Sequence, residues 1–173
     1  AATLRVLANL WGIPVPDDTA QLGADVPVCM SPVTQRMSGV GDVLTAGPKL
    51  PPLPAVLVNP GVDVRTPAIF KALTQKVNAP MPGRLPDCDT VADVVTFLLT
   101  CRNDLAAPAI VTAPVIQDVL DALSETGAQY WQMSGSGATC YALYDSDDAA
   151  GYAVHTLQND HPTWWVKQTI LNP

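Results

Sequence analysis

Apolar residues fall at Leu4, Leu7, Leu10 and Trp11, a spacing of three and four that predicts an amphipathic helix ending near Gly12. Pro14-Val15-Pro16 then reads as a connector, and Asp17 or Asp18 as the cap of a short helix that runs through Leu22 and stops at Gly23. Asp25 followed by Pro27 has the form of a second helix start, because proline is tolerated in a first turn, where its missing N–H would be unpaired anyway. On pattern alone, Asp25 is an N-cap. Residues 34–44 mix polar and apolar side chains around Gly39 and Gly41, as a strand or bulged hairpin arm would.

A proline-rich break from Pro48 to Pro54 divides the chain, giving expected domains at 1–50 and 51–173. Beyond it, Ala55-Val56-Leu57-Val58-Asn59 is a short, β-branched apolar run bounded by prolines, which favours a buried strand. Thr66 stands as the cap of a short helix with Pro67 in its first turn and Ile69, Phe70 and Leu73 along it. Residues 80–89 read as a surface loop. Thr90 caps a helix carrying Val91, Val94, Val95, Leu98 and Leu99; a short helix to Thr112 and another from Pro114 toward Gly127 follow. Two strand-like runs, 129–133 and 139–144, flank a glycine loop. Asp145 or Ser146 then caps a helix to about Asn159, and residues 164–171 make a last strand. A strand, a run of helices, two strands, a helix and a strand suit an α+β fold of the ferredoxin-like kind. It would have a four-stranded antiparallel sheet, helices on one face and an extra helical insertion.

Composition narrows the partners. The chain has 173 residues, 48% of them hydrophobic, enough to bury a core. A net charge of −7 with no local Lys/Arg cluster would repel a phosphate backbone, so neither nucleic acid nor an anionic membrane is an expected partner. The four cysteines, Cys29, Cys88, Cys101 and Cys140, form no C-x-x-C pair, and His155 and His161 lack a third ligand, so no metal site is expected. No signal peptide is evident, which makes the cytoplasm the default location.

Two constellations invite chemistry. Ser134-Gly135-Ser136-Gly137 between two strands is either a tight hairpin turn or a nest of successive N–H groups able to hold an anion. Phe70 beside Lys71 is either core packing or an aromatic–cation pair that grips a flat base. Asn103-Asp104 breaks a helix, where both residue types serve as caps. A nucleophile elbow, a Walker A loop and a dinucleotide fingerprint are all missing.

Taken in order, Leu22-Gly23-Ala24-Asp25-Val26-Pro27, Leu57-Val58-Asn59-Pro60-Gly61, Thr66-Pro67-Ala68-Ile69-Phe70, Asn103-Asp104-Leu105 and Met133-Ser134-Gly135-Ser136-Gly137-Ala138-Thr139-Cys140 resemble the 4-diphosphocytidyl-2-C-methyl-D-erythritol kinases of the GHMP kinase superfamily. The resemblance implies transfer of a phosphoryl group from ATP, with Mg²⁺, to a hydroxyl of a small cytidine diphosphate substrate, on the methylerythritol route to isoprenoid precursors. It implies that Asp25 is the catalytic aspartate and that Gly23, Ala24, Thr66 and Phe70, with Lys71 beside them, meet the substrate. Gly135-Ser136-Gly137 would be the superfamily's third motif, shaping the phosphate site. The family's Gly-Gly pair is replaced here by Ser31-Pro32-Val33-Thr34-Gln35-Arg36-Met37. By the same resemblance, the ATP loop and catalytic lysine belong to an N-terminal half upstream of Ala1. The chain alone is therefore expected to be inactive, with that half as a partner and apolar surface available for a homodimer. The contrasting expectation is a non-catalytic, ferredoxin-like module that binds a small ligand.

Overall fold

The stripe of Leu4, Leu7 and Leu10 forms α1 (Ala2–Trp11), which closes at Gly12. A single 3₁₀ turn, Thr19–Leu22, leads to Gly23. Next comes α2 (Val26–Met30), with Pro27 in its first turn, and then an antiparallel hairpin of β1 (Gln35–Ser38) and β2 (Val43–Ala46), paired from Gln35↔Ala46 to Ser38↔Val43. These elements make up one of two units, Ala1–Lys49; the other is Leu50–Pro173. The computed structural model describes residues 1–173 except Ala24, Pro32, Val40, Asp42, Arg84 and Pro173.

The second unit is built on β3 (Leu53–Asn59), the apolar run read from sequence extended two residues toward the N-terminus. Pro54 is accommodated in it, and its carbonyl accepts the Tyr144 N–H at 2.9 Å. The sheet is completed by β4 (Tyr130–Met133), β5 (Cys140–Leu143) and β6 (Trp165–Leu171), in the order β4-β5-β3-β6, with every pair antiparallel. Alternation along β3 sends Val56 and Val58 to one face and Leu53 and Ala55 to the other.

Four helices cover the Val56/Val58 face: α3 (Thr66–Ala72), α5 (Ala106–Thr112), α6 (Val115–Ser124) and α7 (Asp147–Asp160). They contribute Ile69, Ala109, Ile116, Val119, Leu123, Ala153 and Leu157 to that core. Each fully buried Val, Ile or Leu contributes about 1.5–3 kcal/mol there. The extra helix expected from the sequence is α4 (Val91–Leu98). It lies on the opposite face, where Val94 and Cys88 pack with Leu53, Ala55, Tyr130 and Leu143. Tyr144 is fully buried, which raises its phenol pKa, and its hydroxyl is satisfied by the Thr126 hydroxyl at 2.7 Å.

Thr90 opens α4 with a complete capping box: its hydroxyl accepts from the Asp93 N–H at 3.2 Å, and the Asp93 carboxylate accepts from the Thr90 N–H at 2.9 Å. Replacing Thr90 with Ala is expected to cost about 1 kcal/mol, read as a lower midpoint in urea unfolding with an unchanged slope. The Thr90 hydroxyl and amide hold the Asp93 carboxyl below its ordinary 3.8. A carboxyl lowered in the folded state stabilises fully above the ordinary value and loses that contribution as pH falls through the folded-state value. The difference between Thr90→Ala and the parent should therefore narrow in acid, leaving the part due to the bond from the Asp93 N–H to the Thr90 hydroxyl, which does not titrate.

Candidate functional site

In the first unit, the Gly23 amide donates to the Ala20 carbonyl at 3.1 Å and its own carbonyl accepts the Val26 N–H at 3.0 Å, so the chain turns tightly just ahead of α2. Asp25 occupies the N-cap position, where the sequence pattern puts it, but its side chain makes no capping bond. Only its backbone carbonyl serves the helix, accepting from the Cys29 N–H at 3.3 Å. The carboxylate is thus exposed and unused by the helix it precedes. The far end of α2 is held by Arg5, whose guanidinium donates to the Cys29 carbonyl at 3.1 Å. Ala24, the remaining sequence-derived contact here, lies outside the described residues.

In the second unit, the glycine loop joins β4 to β5. Ser134 donates to the Thr139 carbonyl at 2.8 Å, and Gly137 donates to the Ser134 carbonyl at 3.0 Å, which closes the turn. Gly135 and Gly137 both have positive φ, 56° and 90°, which side chains rarely adopt. At Gly137 space is also exhausted: an added Cβ would sit 2.9 Å from Met133 Sδ and 3.2 Å from Ile116 Cδ1. Cys140, just after the loop, is buried, and burial pushes its thiol up to about 12, so it stays protonated at neutral pH.

Thr66 does not cap α3 as its sequence position suggested. The N-cap is Arg65, with no side-chain bond, and the Thr66 hydroxyl is instead paired with the Ser136 hydroxyl at 2.8 Å. A loop 70 residues away has taken the hydroxyl that would have capped the helix. Ile69 anchors α3 in the core at 0% exposure, which leaves Phe70 outside it at 52%. Phe70 follows Thr66 by four residues and so shares its helix face. Lys71 is exposed one position further round, in the last turn. The structure thus gathers Thr66, Ser136, Gly135 and Gly137, with Phe70 on the face of Thr66, and places Lys71 on the neighbouring one.

Two asparagines that the sequence pattern presented as turn and cap residues hold this loop. Asn103 Nδ2 donates to the carbonyls of Met133 (2.9 Å) and Gly135 (2.8 Å), and Asn59 Nδ2 donates to the Thr139 hydroxyl at 2.9 Å. Their place in two of the ordered motifs was the only available signal. Asp104 pairs with Arg102 at 2.7 Å, and Arg102 also reaches the Ala79 carbonyl at 2.8 Å, tying the long 73–90 loop to the start of α5. A cleft of about 390 Å³ opens past α3, between Leu73, Gln75, Asn78, Asp104, Pro108 and Val111; none of the sequence-derived site residues lines it.

Among the described residues, no three His, Cys, Asp or Glu side chains gather as a metal site. No single helix among them is long and apolar enough to cross a membrane.

Residues 97–162 match the family described as GHMP kinases C terminal. The chain is 51% identical over 172 residues to a 4-diphosphocytidyl-2-C-methyl-D-erythritol kinase from Dinoroseobacter shibae, covering 99% of this chain and 60% of that one. It is 52% identical over 169 residues to the kinase of the same name from Ruegeria pomeroyi, covering 95% and 61%. It therefore spans about three-fifths of the length of these relatives. A crystal structure of 4-(cytidine 5'-diphospho)-2C-methyl-D-erythritol kinase superposes with a TM-score of 0.71 at 27% identity, over 99% of this chain and 63% of that one. A homoserine kinase from Cytophaga hutchinsonii superposes at 0.58 with 17% identity, over 85% and 50%, a likeness of fold.

Proposed function

We propose, since this chain belongs to the 4-diphosphocytidyl-2-C-methyl-D-erythritol kinase family, that the protein carrying it transfers the γ-phosphoryl group of ATP to a hydroxyl of that cytidine diphosphate derivative. The observation that carries this reading is the 51% identity over 172 residues, 99% of the chain. The reaction belongs to the methylerythritol route to isoprenoid precursors, and a cytoplasmic location goes with it.

Asp25 is the proposed general base. The substrate hydroxyl oxygen forms a bond to the γ-phosphorus, the bond from that phosphorus to the β–γ bridging oxygen breaks, and ADP leaves. The hydroxyl proton passes to the Asp25 carboxylate. Because the transition state is loose, little covalent work falls to the protein, and orienting the nucleophile is a large part of catalysis. A carboxylate that its own helix leaves unbonded suits that task. Gly23 and Ala24 are the proposed backbone contacts beside it.

Thr66 and Phe70 are the proposed contacts to the cytidyl and diphosphate portion, with Lys71 as a nearby cation. Gly135-Ser136-Gly137 is the proposed phosphate-side loop; among the described residues, the Gly135 and Ser136 amides donate to no protein group. Mg²⁺, when bound with nucleotide, would neutralise phosphate charge.

The test is direct: supply the whole protein with γ-labelled ATP, Mg²⁺ and the cytidine diphosphate substrate, and follow label into the substrate. Substrate binding without label transfer would replace the kinase with a non-catalytic binding module. Phe70→Ala is expected to raise the substrate KM about tenfold, since an aromatic stacked on a base is worth about 1–3 kcal/mol. Because Phe70 is outside the core, kcat and melting temperature should change little. An unchanged KM removes Phe70 from the site.

A further inference from the structure

Asn103 is half-buried at the entrance to α5, and every polar atom of its side chain is committed. Oδ1 accepts the Leu105 N–H at 3.0 Å, and both amide hydrogens of Nδ2 go to loop carbonyls, Met133 at 2.9 Å and Gly135 at 2.8 Å. On the other leg of the turn, Asn59 grips the Thr139 hydroxyl at 2.9 Å while its Oδ1 accepts the Gly61 N–H at 2.8 Å. The Ser134–Thr139 bond that closes the base of the turn, 2.8 Å long, is therefore flanked by a carboxamide on each leg.

A trans peptide points its N–H opposite to its C=O. Holding the Met133 carbonyl toward Asn103 accordingly directs the Ser134 N–H away, toward Thr139, as observed. By the same rule, holding the Gly135 carbonyl directs the Ser136 N–H away from Asn103, and among the described residues that N–H meets no protein acceptor. The Ser136 hydroxyl is tied separately to Thr66 at 2.8 Å, so the residue is fixed through both backbone and side chain. We infer that Asn103 is a positioning residue that aims the Ser136 N–H at a phosphate oxygen of the nucleotide. The phosphate end of this inference rests on the kinase reading; the clamp itself does not.

Asn103→Asp separates the two functions of the side chain, because the carboxylate can still accept from Leu105 but has no hydrogen for either carbonyl. Asn103→Ser, which is neutral, controls for the added charge and stands in if the aspartate variant does not fold. In both, hydrogen exchange at the Ser134 and Gly137 amides is expected to accelerate at least tenfold while the amides of β3 and β5 keep their protection. In the whole enzyme, the KM for ATP should rise about tenfold while the substrate KM stays within threefold. A purely structural role would lower the amount of folded enzyme and leave both KM values alone. Unchanged exchange, or exchange accelerated throughout the sheet, overturns the clamp; accelerated loop exchange with an unchanged ATP KM overturns its role toward nucleotide. A wild-type protein without turnover sinks the kinase reading instead, and the exchange result then decides the clamp by itself.

Discussion

Asp25→Asn is expected to lower turnover about a thousandfold while leaving the fold intact. The carboxamide has the shape of the carboxylate but cannot take the proton of the attacking hydroxyl, and a positioned general base contributes about 10²–10⁴ in rate. Stability should not follow activity, because the Asp25 side chain makes no capping bond in α2 and is exposed. A capping aspartate would behave in the opposite way, costing about 1 kcal/mol on substitution with activity falling only as folded protein is lost. The two roles are thus separated by measuring kcat and the melting temperature on the same variant. A kcat within tenfold of the parent would remove Asp25 from the chemistry.

The largest stability effect is expected at Gly137. Alanine there must adopt φ near 90° and place its Cβ 2.9 Å from Met133 Sδ, inside ordinary contact distance. An unfavourable backbone region costs about 1–3 kcal/mol, and overpacking a filled core adds about as much again. A total of about 2–6 kcal/mol is a large part of the stability of a domain of this size. Gly135→Ala is the control: φ is also positive there, at 56°, but nothing lies within 4 Å of an added Cβ, so only the backbone cost remains, about 1 kcal/mol. Chemical denaturation of the two variants should separate them clearly. Equal midpoints would mean that Met133 moves aside at no cost.

What the sequence disclosed was mostly local. β3, α4, α6, α7 and β6 follow from apolar spacing and caps, and Ser146 takes its expected place, accepting the Ala149 N–H at 3.2 Å. The antiparallel, four-stranded α+β arrangement follows from the order of elements. The strand order β4-β5-β3-β6 is the one a ferredoxin-like sheet carries, although apolar spacing alone does not set it, because pairing is decided by contacts far apart in the chain. Thr66 shows the same limit: it carries a good cap signal, but its hydroxyl bonds to Ser136. Asn59 and Asn103 look like turn residues because their partners lie 80 and about 30 residues away. Phe70, ambiguous as core or surface, is resolved only by the fully buried neighbour Ile69.

The position of β3 at the heart of its sheet bears on how the unit assembles. Its N-terminal residue Leu53 pairs with Leu171, and its Ala55 with Leu143, so the strand at the centre is the first of the four to be made and waits for partners from the far end of the unit. Such distant closures slow folding, and an unpaired apolar strand is prone to aggregate in the interval. Refolding slower than that of a helical bundle of the same size is the expected result, read by stopped-flow fluorescence after dilution from urea.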